Sequence, residues 1–300
     1  MITSTSNKNI KEITALIKKS SYRKSEGCYV VEGIKMFKEL PDKYIKKIYI
    51  SEKLYDRLYY SSEVKKSNIS SVLSACDKKH SAVKNAAKSD DELKAKLDRH
   101  GFEVLKQHVF ESTSETSTPQ GILAVASKQE YTLEGILKRK YASANIDGAL
   151  KLLVLDTIQD PGNLGTIIRA GEAAGIDGVI MGRGTADIYS PKVTRSTMGS
   201  LFRVPFIYTD DLLLTVKDIK RENIKVYAAE KGEGITYDRA DLINAAALII
   251  GNESGGISDD ILKEADNLIK IPMTGSVESL NAAIAASILM FEITRQRRAV

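Results

Sequence analysis

The stretch LLVLDTIQDPGNLGTIIRAGEAAG, residues 152 to 175, predicts a strand, a tight loop and a helix in direct succession. Its unbroken apolar run stops at Asp156, and apolar residues at helical spacing begin at Leu164. Asp-Pro-Gly-Asn, residues 160 to 163, lies between them. Continuous apolar strands are typical of parallel sheets that are covered on both faces. The stretch therefore predicts a βα unit whose helix spans residues 164 to 174.

The order of strand and helix repeats from Lys151 to the C-terminus. The further predicted strands are DGVIMG, VPFIY, KVYAAE, AAALIIG and LIKIPM. The last segment, SLNAAIAASILMFEI, is apolar nearly all round, so we expect a buried helix that ends near Arg295. The pattern predicts an α/β domain built on a parallel sheet.

The front of the chain predicts a second, smaller α/β unit. Ile10, Ile13, Leu16 and Ile17 share one face of a helix in NIKEITALIKK. CYVVEG, IKKIYIS and ILAVAS are predicted strands, IKMFKEL, EKLYDRLYY and residues 77 to 100 are predicted helices, and ESTSETSTPQG is a predicted loop. A length of 300 residues suits two domains, which we assign to residues 1–112 and 113–300.

The positive charge of the chain is concentrated in its front part. Through Ala126 there are 23 Lys and Arg against 16 Asp and Glu, whereas the remainder has 21 against 23. A basic module beside a neutral one favours a polyanionic partner, although lysine-rich helices are also common simply because they are soluble. The longest apolar stretches are far shorter than the ~20 residues of a membrane helix. MITSTSNKNI has no apolar core of the secretory kind, so we expect a cytoplasmic protein.

Cysteines and histidines give no sign of a metal site. Cys28 and Cys76 are expected to be free thiols. His80, His100 and His108 lie in a basic, polar stretch without partners at metal-ligand spacing, and we expect them at the surface.

Three predicted strands end in loops rich in Gly, Asn or Ser. These loops are DPGN, GNESGG and MTGSVESLN. In open parallel sheets ligands bind beyond the carboxyl ends of the strands, so three such loops predict a shared pocket. The Walker and G-x-G-x-x-G patterns are absent, and carboxylates near the second loop disfavour a phosphate. ATP and NAD are therefore disfavoured, and a cationic or neutral ligand is favoured.

Four polar residues near these loops each have an ordinary structural explanation. Arg169 and Glu172 are three apart on the predicted helix and would form a surface ion pair. Ser279 and Asn281 at the start of the last helix would serve as caps. The alternative is that Arg169 grips a nucleic-acid phosphate and that one of the two polar groups serves the pocket.

The three loop segments together resemble the three signature motifs of the SpoU (TrmH-type) family of RNA ribose 2'-O-methyltransferases, within the SPOUT class. The matching segments are DPGNLGTIIRAGEAAG, IIGNESGGIS and IPMTGSVESLNAAIAASILMFE. NKNIKEITALIKKSSYRKSEGCYVVEGIKMFKEL resembles the small substrate-binding domain of the family, which is built like a ribosomal RNA-binding protein. The resemblance implies a C-terminal trefoil knot and a homodimer.

The resemblance also implies a cofactor, S-adenosylmethionine, and a set of site residues. The implied catalytic positions are Asn163, Arg169, Glu253, Ser279 and Asn281. The implied cofactor-binding positions are Gly251, Ile271, Met273 and Leu280. Ser254 stands where the family motif has a Gly, and a Ser adopts a positive φ only at a cost.

The resemblance implies 2'-O-methylation of a ribose in structured RNA. The basic front part and its likeness to ribosomal proteins favour ribosomal (23S) RNA over transfer RNA. A non-catalytic RNA-binding or ribosome-assembly protein on the same fold is the alternative from another class. The presence of Asn163, Arg169, Glu253, Ser279 and Asn281 together argues against that alternative, since a binding module does not need them all.

Overall fold

In a computed structural model, the protein is described over residues 1–60, 77–138 and 149–298, with only the backbone described for residues 77–88. Cys76 and the side chain of His80 lie outside the described residues. The chain forms two compact units that divide between Lys128 and Gln129, and Tyr189–Pro191 are grouped with the first unit.

The first unit contains a four-stranded sheet in the order β1-β4-β2-β3. Its strands are β1 (Cys28–Glu32), β2 (Ile45–Ser51), β3 (Glu103–Leu105) and β4 (Ile122–Ser127). β4 is antiparallel to both β1 and β2, and β3 is parallel to β2. The three strands predicted from the sequence are confirmed, whereas the short β3 was not predicted.

The first unit is packed around the predicted amphipathic helix. Its helices are α1 (Lys8–Lys18), α2 (Ser20–Glu26), α3 (Ile34–Glu39), α4 (Glu52–Tyr59), α5 (Asp77–His100) and α6 (Gln107–Thr113). Ile10, Ile13, Leu16 and Ile17 of α1 are all buried, which confirms the predicted face. They share a core with Phe110 of α6, a helix that occupies the start of the predicted loop at 111 to 121.

The boundary between the units differs from the one expected at residues 112 and 113. β4 pairs with β1 and β2, so residues 113 to 128 lie in the first unit instead. The physical reason is that β4 fills the gap between two strands whose edges would otherwise be unpaired.

The second unit contains the expected parallel sheet. The strands are β5 (Lys151–Leu155), β6 (Gly178–Gly182), β7 (Phe206–Thr209), β8 (Lys225–Ala229), β9 (Ile235–Thr236), β10 (Ala246–Ile250) and β11 (Asn267–Lys270). Their order is β7-β6-β5-β10-β8-β11-β9, with parallel pairing throughout. Leu152 and Val154 join one core cluster, while Leu153 and Leu155 point to the opposite face and are buried as well. Both faces of the sheet are therefore covered, as the apolar runs predict.

Helices cover the two faces of this sheet. They are α7 (Leu133–Leu137), α8 (Pro161–Ala174), α9 (Pro191–Ser196), α10 (Leu212–Arg221), α11 (Asp259–Glu264) and α12 (Ala282–Arg298). α8 packs against α12, where the Sδ atom of Met290 lies close to Gly171.

Two expectations about these helices were wrong in detail. α8 begins at Pro161 rather than Leu164, because Asp160 caps it and proline suits the first turn. α12 is not buried all round: Ile284 is 52% exposed and Phe291 is 47% exposed. Within this chain α12 therefore presents an apolar stripe that no described element covers.

None of the helices in the described ranges is long and apolar enough to cross a membrane. Over the same residues, no group of three or more His, Cys, Asp or Glu side chains is placed to hold a metal ion.

Candidate active site

A cavity of about 710 Å³ lies beyond the carboxyl ends of β8, β10 and β11. It is bounded by the loop after β10 and by the segment that joins β11 to α12. These are the second and third of the loops that the sequence singled out, and their position is the one that open parallel sheets use for ligands. Seven of the expected site residues line this cavity: Gly251, Glu253, Ile271, Met273, Ser279, Leu280 and Asn281.

Side-chain hydrogen bonds join the three loops at the edge of this cavity. The Nδ2 atom of Asn163 donates to Oε1 of Glu253 at 2.8 Å. The Nδ2 atom of Asn281 donates to Oδ1 of Asn163 at 2.9 Å. Both ends of the Asn163 amide are therefore used, which fixes its orientation. Asn163, Glu253 and Asn281 form what we call the amide network.

Asn281 is both a helix cap and a member of the amide network. Its Oδ1 atom accepts the backbone N–H groups of Ala283 at 2.9 Å and Ile284 at 3.3 Å. The capping role considered for Asn281 is therefore confirmed, and its Nδ2 atom remains available for Asn163. Ser279 lies on the cavity wall.

Asp160 places Asn163 at the loop edge. Its Oδ1 atom accepts the backbone N–H of Asn163 at 2.8 Å, as an N-cap does. Asn163 thus lies in the first turn of α8, where its side chain faces Glu253 rather than serving as the cap itself.

Asn252 closes the turn that carries Glu253. Its Oδ1 atom accepts the N–H groups of Ser254 and Gly255, each at 2.9 Å. Its Nδ2 atom donates to the carbonyl oxygen of Thr157 at 2.8 Å. This side chain therefore ties the loop after β10 to the loop after β5.

Asp156 also links the loop after β5 to the loop after β10, and Thr157 beside it has a strained backbone. Oδ2 of Asp156 accepts both the N–H and the hydroxyl of Ser258 at 2.8 Å. Thr157 has φ 62°, which is costly for a β-branched residue. No site role was predicted from the sequence for Asp156, Thr157 or Asn252. Polar residues directly after two buried strands were the available signal.

The expected cofactor positions form the apolar part of the cavity wall. Ile271, Met273 and Leu280 lie there with Ile250, Ile269 and Leu289. Gly251 follows β10, and a Cβ atom on it would lie 2.3 Å from the carbonyl carbon of Gly256 and 2.4 Å from the nitrogen of Ile257. Only glycine therefore fits at 251 without moving the backbone.

Arg169 is exposed on α8 and does not line the cavity. The expected ion pair with Glu172 is not formed, because Glu172 pairs with Arg203, whose Nη2 atom lies 3.0 Å from Oε2. That hydrogen bond lowers the pKa of the Glu172 carboxyl below its ordinary value. Arg169 has no hydrogen bond or ion pair within the part of the chain that the structure describes, so its guanidinium is available to another molecule.

Two family models match this chain, one over each unit. The model of the SpoU rRNA Methylase family matches residues 151–291. The model of the MRM3-like substrate binding domain matches residues 7–124. The 23S rRNA (guanosine(2553)-2'-O)-methyltransferase RlmP of Bacillus subtilis (strain 168) is 38% identical over 190 residues, which are 63% of this chain and 71% of that protein. The chain belongs to the SpoU rRNA methylase family.

Two solved structures of methyltransferases have a similar fold. An AdoMet-bound rRNA methyltransferase from Sinorhizobium meliloti is 26% identical and matches 98% of this chain and 97% of its own, with a TM-score of 0.72. The SpoU methyltransferase AviRb from Streptomyces viridochromogenes, in complex with the cofactor AdoMet, is 22% identical. It matches 98% of this chain and 99% of its own, with a TM-score of 0.74, and this likeness concerns the fold alone.

The departure of this SpoU chain at Ser254 is accommodated by its loop. The positive φ in this loop is at Gly256, with φ 69°, and Ser254 is not among the residues with a positive φ. The backbone N–H of Ser254 is held by Asn252 instead. The substitution therefore leaves the turn of this SpoU protein intact.

Proposed function

We propose that this protein transfers the methyl group of S-adenosylmethionine to the 2'-hydroxyl of a ribose in ribosomal RNA, most specifically 23S RNA. The observation that carries the proposal is the amide network, which brings residues of all three signature motifs to the edge of one cavity. The chain is an RNA methyltransferase by family, and its similarity to RlmP favours ribose methylation of 23S RNA.

The cavity fits S-adenosylmethionine. Its volume of about 710 Å³ is in the range of pockets that enclose a small ligand. Ile271 and Leu280 offer apolar contacts for the adenine, and Gly251 lies on the same cavity wall. Glu253 adds negative charge beside this apolar wall, which suits a sulfonium. When bound, this cofactor supplies an electrophilic methyl group.

The residues around the amide network suit the other half of the reaction. A ribose hydroxyl is a weak nucleophile until its proton is removed, so positioning and proton removal are the main tasks. Arg169 would hold the RNA phosphate and the 2'-hydroxyl, since it is exposed and uncommitted within the described chain. Asn163 and Asn281 would orient the reacting groups, Glu253 would hold the network in place, and Ser279 would complete the cavity wall.

The first unit supplies the RNA contacts in this proposal. It matches a substrate-binding domain, and the surplus of Lys and Arg lies in this part of the chain. Because ribosomal RNA is methylated where ribosomes are made, we propose a cytoplasmic location.

We further propose that the enzyme is a homodimer whose C-terminal segment forms a trefoil knot. The dimer is supported by the apolar stripe of α12, where Ile284, Ile288 and Phe291 recur at helical spacing and the first and last are about half exposed. A second copy of this helix would cover such a stripe by two-fold symmetry. The knot rests on family likeness.

A transfer assay with total RNA tests the proposed function. The purified protein is incubated with labelled S-adenosylmethionine and unmodified RNA. The RNA is then digested to nucleosides, and the labelled nucleosides are identified. We expect label in 23S RNA as a 2'-O-methylated nucleoside. Label in transfer RNA alone would show that the substrate is transfer RNA instead of 23S RNA. Cofactor binding without methyl transfer to any RNA would favour a non-catalytic RNA-binding protein.

A further inference from the structure

The cavity is lined by more charged side chains than the amide network uses. They are Glu230, Lys231, Glu253, Lys270 and Glu278. Three of them are committed to contacts within the protein. Glu253 accepts from Asn163, Nζ of Lys270 donates to the carbonyl oxygen of Gly232 at 2.6 Å, and Oε1 of Glu230 accepts the N–H of Lys231 at 2.8 Å.

Lys231 and Glu278 are the two charged lining residues that remain. Both are exposed, and neither has a side-chain hydrogen bond or ion pair among the residues that the structure describes. Lys231 lies just after β8, and Glu278 lies between β11 and α12. Among the described lining residues, Lys231 and Glu278 are therefore the cation and the anion whose charged groups make no hydrogen bond or ion pair within the protein.

The segment that carries Lys231 is held in place against β11. The backbone N–H of Glu230 donates to the carbonyl oxygen of Ile269 at 3.0 Å. Lys270 holds Gly232, and at Gly234, with φ 112°, a Cβ atom would lie 2.5 Å from the carbonyl oxygen of Leu268. This close approach fixes the course of the backbone on the far side of Lys231, so the lysine extends from an anchored loop.

We propose that Lys231 and Glu278 form the subsite for the amino-acid tail of S-adenosylmethionine, an inference that rests on the proposed function. The tail is a zwitterion with one carboxylate and one ammonium group. Lys231 binds the carboxylate, and Glu278 binds the ammonium. A ligand with a phosphate tail would be repelled by Glu278, whereas an uncharged tail would engage neither residue.

Ligands that share the adenosine part and differ in the tail test this subsite. Binding is measured by calorimetry on the full-length protein with three ligands. S-adenosylhomocysteine has the complete tail, decarboxylated S-adenosylhomocysteine lacks the carboxylate, and 5'-deoxy-5'-methylthioadenosine lacks the tail. The variants are Lys231→Ala and Glu278→Gln, and Lys263→Ala on the exposed side of α11 is the matched control.

Each variant has its own expected pattern. Lys231→Ala weakens the binding of S-adenosylhomocysteine by about three- to tenfold, as expected for one partly solvated charge contact. It leaves the affinities for the other two ligands unchanged. Glu278→Gln weakens the binding of S-adenosylhomocysteine and of the decarboxylated ligand, and it leaves the affinity for methylthioadenosine unchanged. Lys263→Ala changes none of them.

Two results would overturn the subsite without affecting the proposed function. In one, a variant weakens the binding of all three ligands equally, which indicates that the substitution has distorted the cavity. In the other, neither variant changes any affinity. If the unmodified protein binds none of the three ligands, this would instead contradict the proposed function, and the proposed subsite would fail with it.

Discussion

Asn281 and Asn163 are 118 residues apart in the chain, and the Nδ2 atom of Asn281 donates to Oδ1 of Asn163 at 2.9 Å. This bond joins the start of α12 to the first turn of α8. Since the other end of the Asn163 amide binds Glu253, the position of each residue depends on the other two. Changes at either asparagine are therefore expected to affect the rate of transfer more than the stability of the fold.

The variant Asn281→Asp separates the two roles of this side chain. An aspartate still accepts the N–H groups of Ala283 and Ile284, so α12 keeps its cap. It has no N–H to donate to Asn163, and either orientation of the Asn163 amide then sets an oxygen against a carboxylate. We expect kcat to fall by about tenfold to a hundredfold, as for a misplaced reacting group, with an unchanged melting temperature.

Asn281→Ala is the matched control for the cap. It removes the bond to Asn163 and the two capping bonds, and it should additionally lower the free energy of unfolding by about 1 kcal/mol. Single-turnover rates and thermal unfolding distinguish the two variants. Full activity of Asn281→Asp would show that the amide network does not serve catalysis.

Arg169 should be required for transfer and dispensable for cofactor binding. It is exposed, lies outside the cavity lining and has no polar partner in the described ranges, so Arg169→Ala removes no hydrogen bond or ion pair there. We expect transfer to fall by about 10² to 10³, the loss typical of one charged group at a transition state, with an unchanged affinity for S-adenosylmethionine.

Arg221→Ala is a suitable control for Arg169→Ala. Arg221 is an exposed arginine on α10 that pairs with Asp218, and its loss should leave transfer unchanged. Transfer rates and calorimetric affinities are measured for both variants. Retained turnover by Arg169→Ala on a matched RNA would remove Arg169 from the site.

A charge at Leu280 should weaken cofactor binding. Leu280 is half-buried on the cavity wall, so Leu280→Asp exchanges an apolar contact for a carboxylate that must be desolvated. We expect the dissociation constant to rise by about tenfold or more, measured by calorimetry. The control Leu214→Asp changes an exposed leucine on α10, and this variant should bind the cofactor with unchanged affinity. Equal affinities would place the cofactor elsewhere.

The sequence predicted the layout of the second unit well, because its signals are local. Unbroken apolar strands such as LLVL and AAALII indicate burial on both faces, and the parallel sheet confirms this. The loops at the carboxyl ends of the strands were predictable for the same reason. Which side chains meet across those loops was not, since the bond from Asn252 to Thr157 depends on the order of strands in the sheet.

Two predictions from the sequence were wrong for the same physical reason. The ion pair between Arg169 and Glu172 was expected from helical spacing, but Arg203, distant in sequence, lies closer to Glu172. α12 was expected to be buried all round, but Ile284 and Phe291 remain exposed. Local patterns identify which residues are apolar or charged, and tertiary contacts decide which partners they obtain.

The loop after β10 should tolerate a change at Ser254 and not at Gly251. Ser254 has no positive φ, so Ser254→Gly should leave kcat and cofactor affinity within about twofold, as for a change that leaves the loop in place. Gly251→Ala sets a Cβ atom against the backbone of Gly256 and Ile257 and should abolish cofactor binding. Calorimetry on both variants, with circular dichroism as a folding check, measures this. Normal binding by Gly251→Ala would contradict the geometry of this loop.

The exposed stripe of α12 predicts that charge there prevents the proposed dimer from forming. Ile284 and Phe291 lie seven residues apart, two turns along one face, and both are about half exposed. In the double variant Ile284→Arg with Phe291→Arg, two-fold symmetry brings the new charges of both copies into the same contact, where they repel. We expect a monomer by sedimentation velocity at concentrations where the unmodified protein is a dimer, and a folded one, since these side chains are not in the core.

The control places the same charge on a different exposed apolar residue. Leu214→Arg on α10 should leave the proposed dimer intact. If the α12 variant remains dimeric, the contact between copies lies on another surface. If the unmodified protein sediments as a monomer, the stripe serves a different partner. If the variant is monomeric and also loses transfer while it still binds the cofactor, then the RNA side of the site needs the second copy, which would explain why Arg169 lies outside the cavity of its own chain.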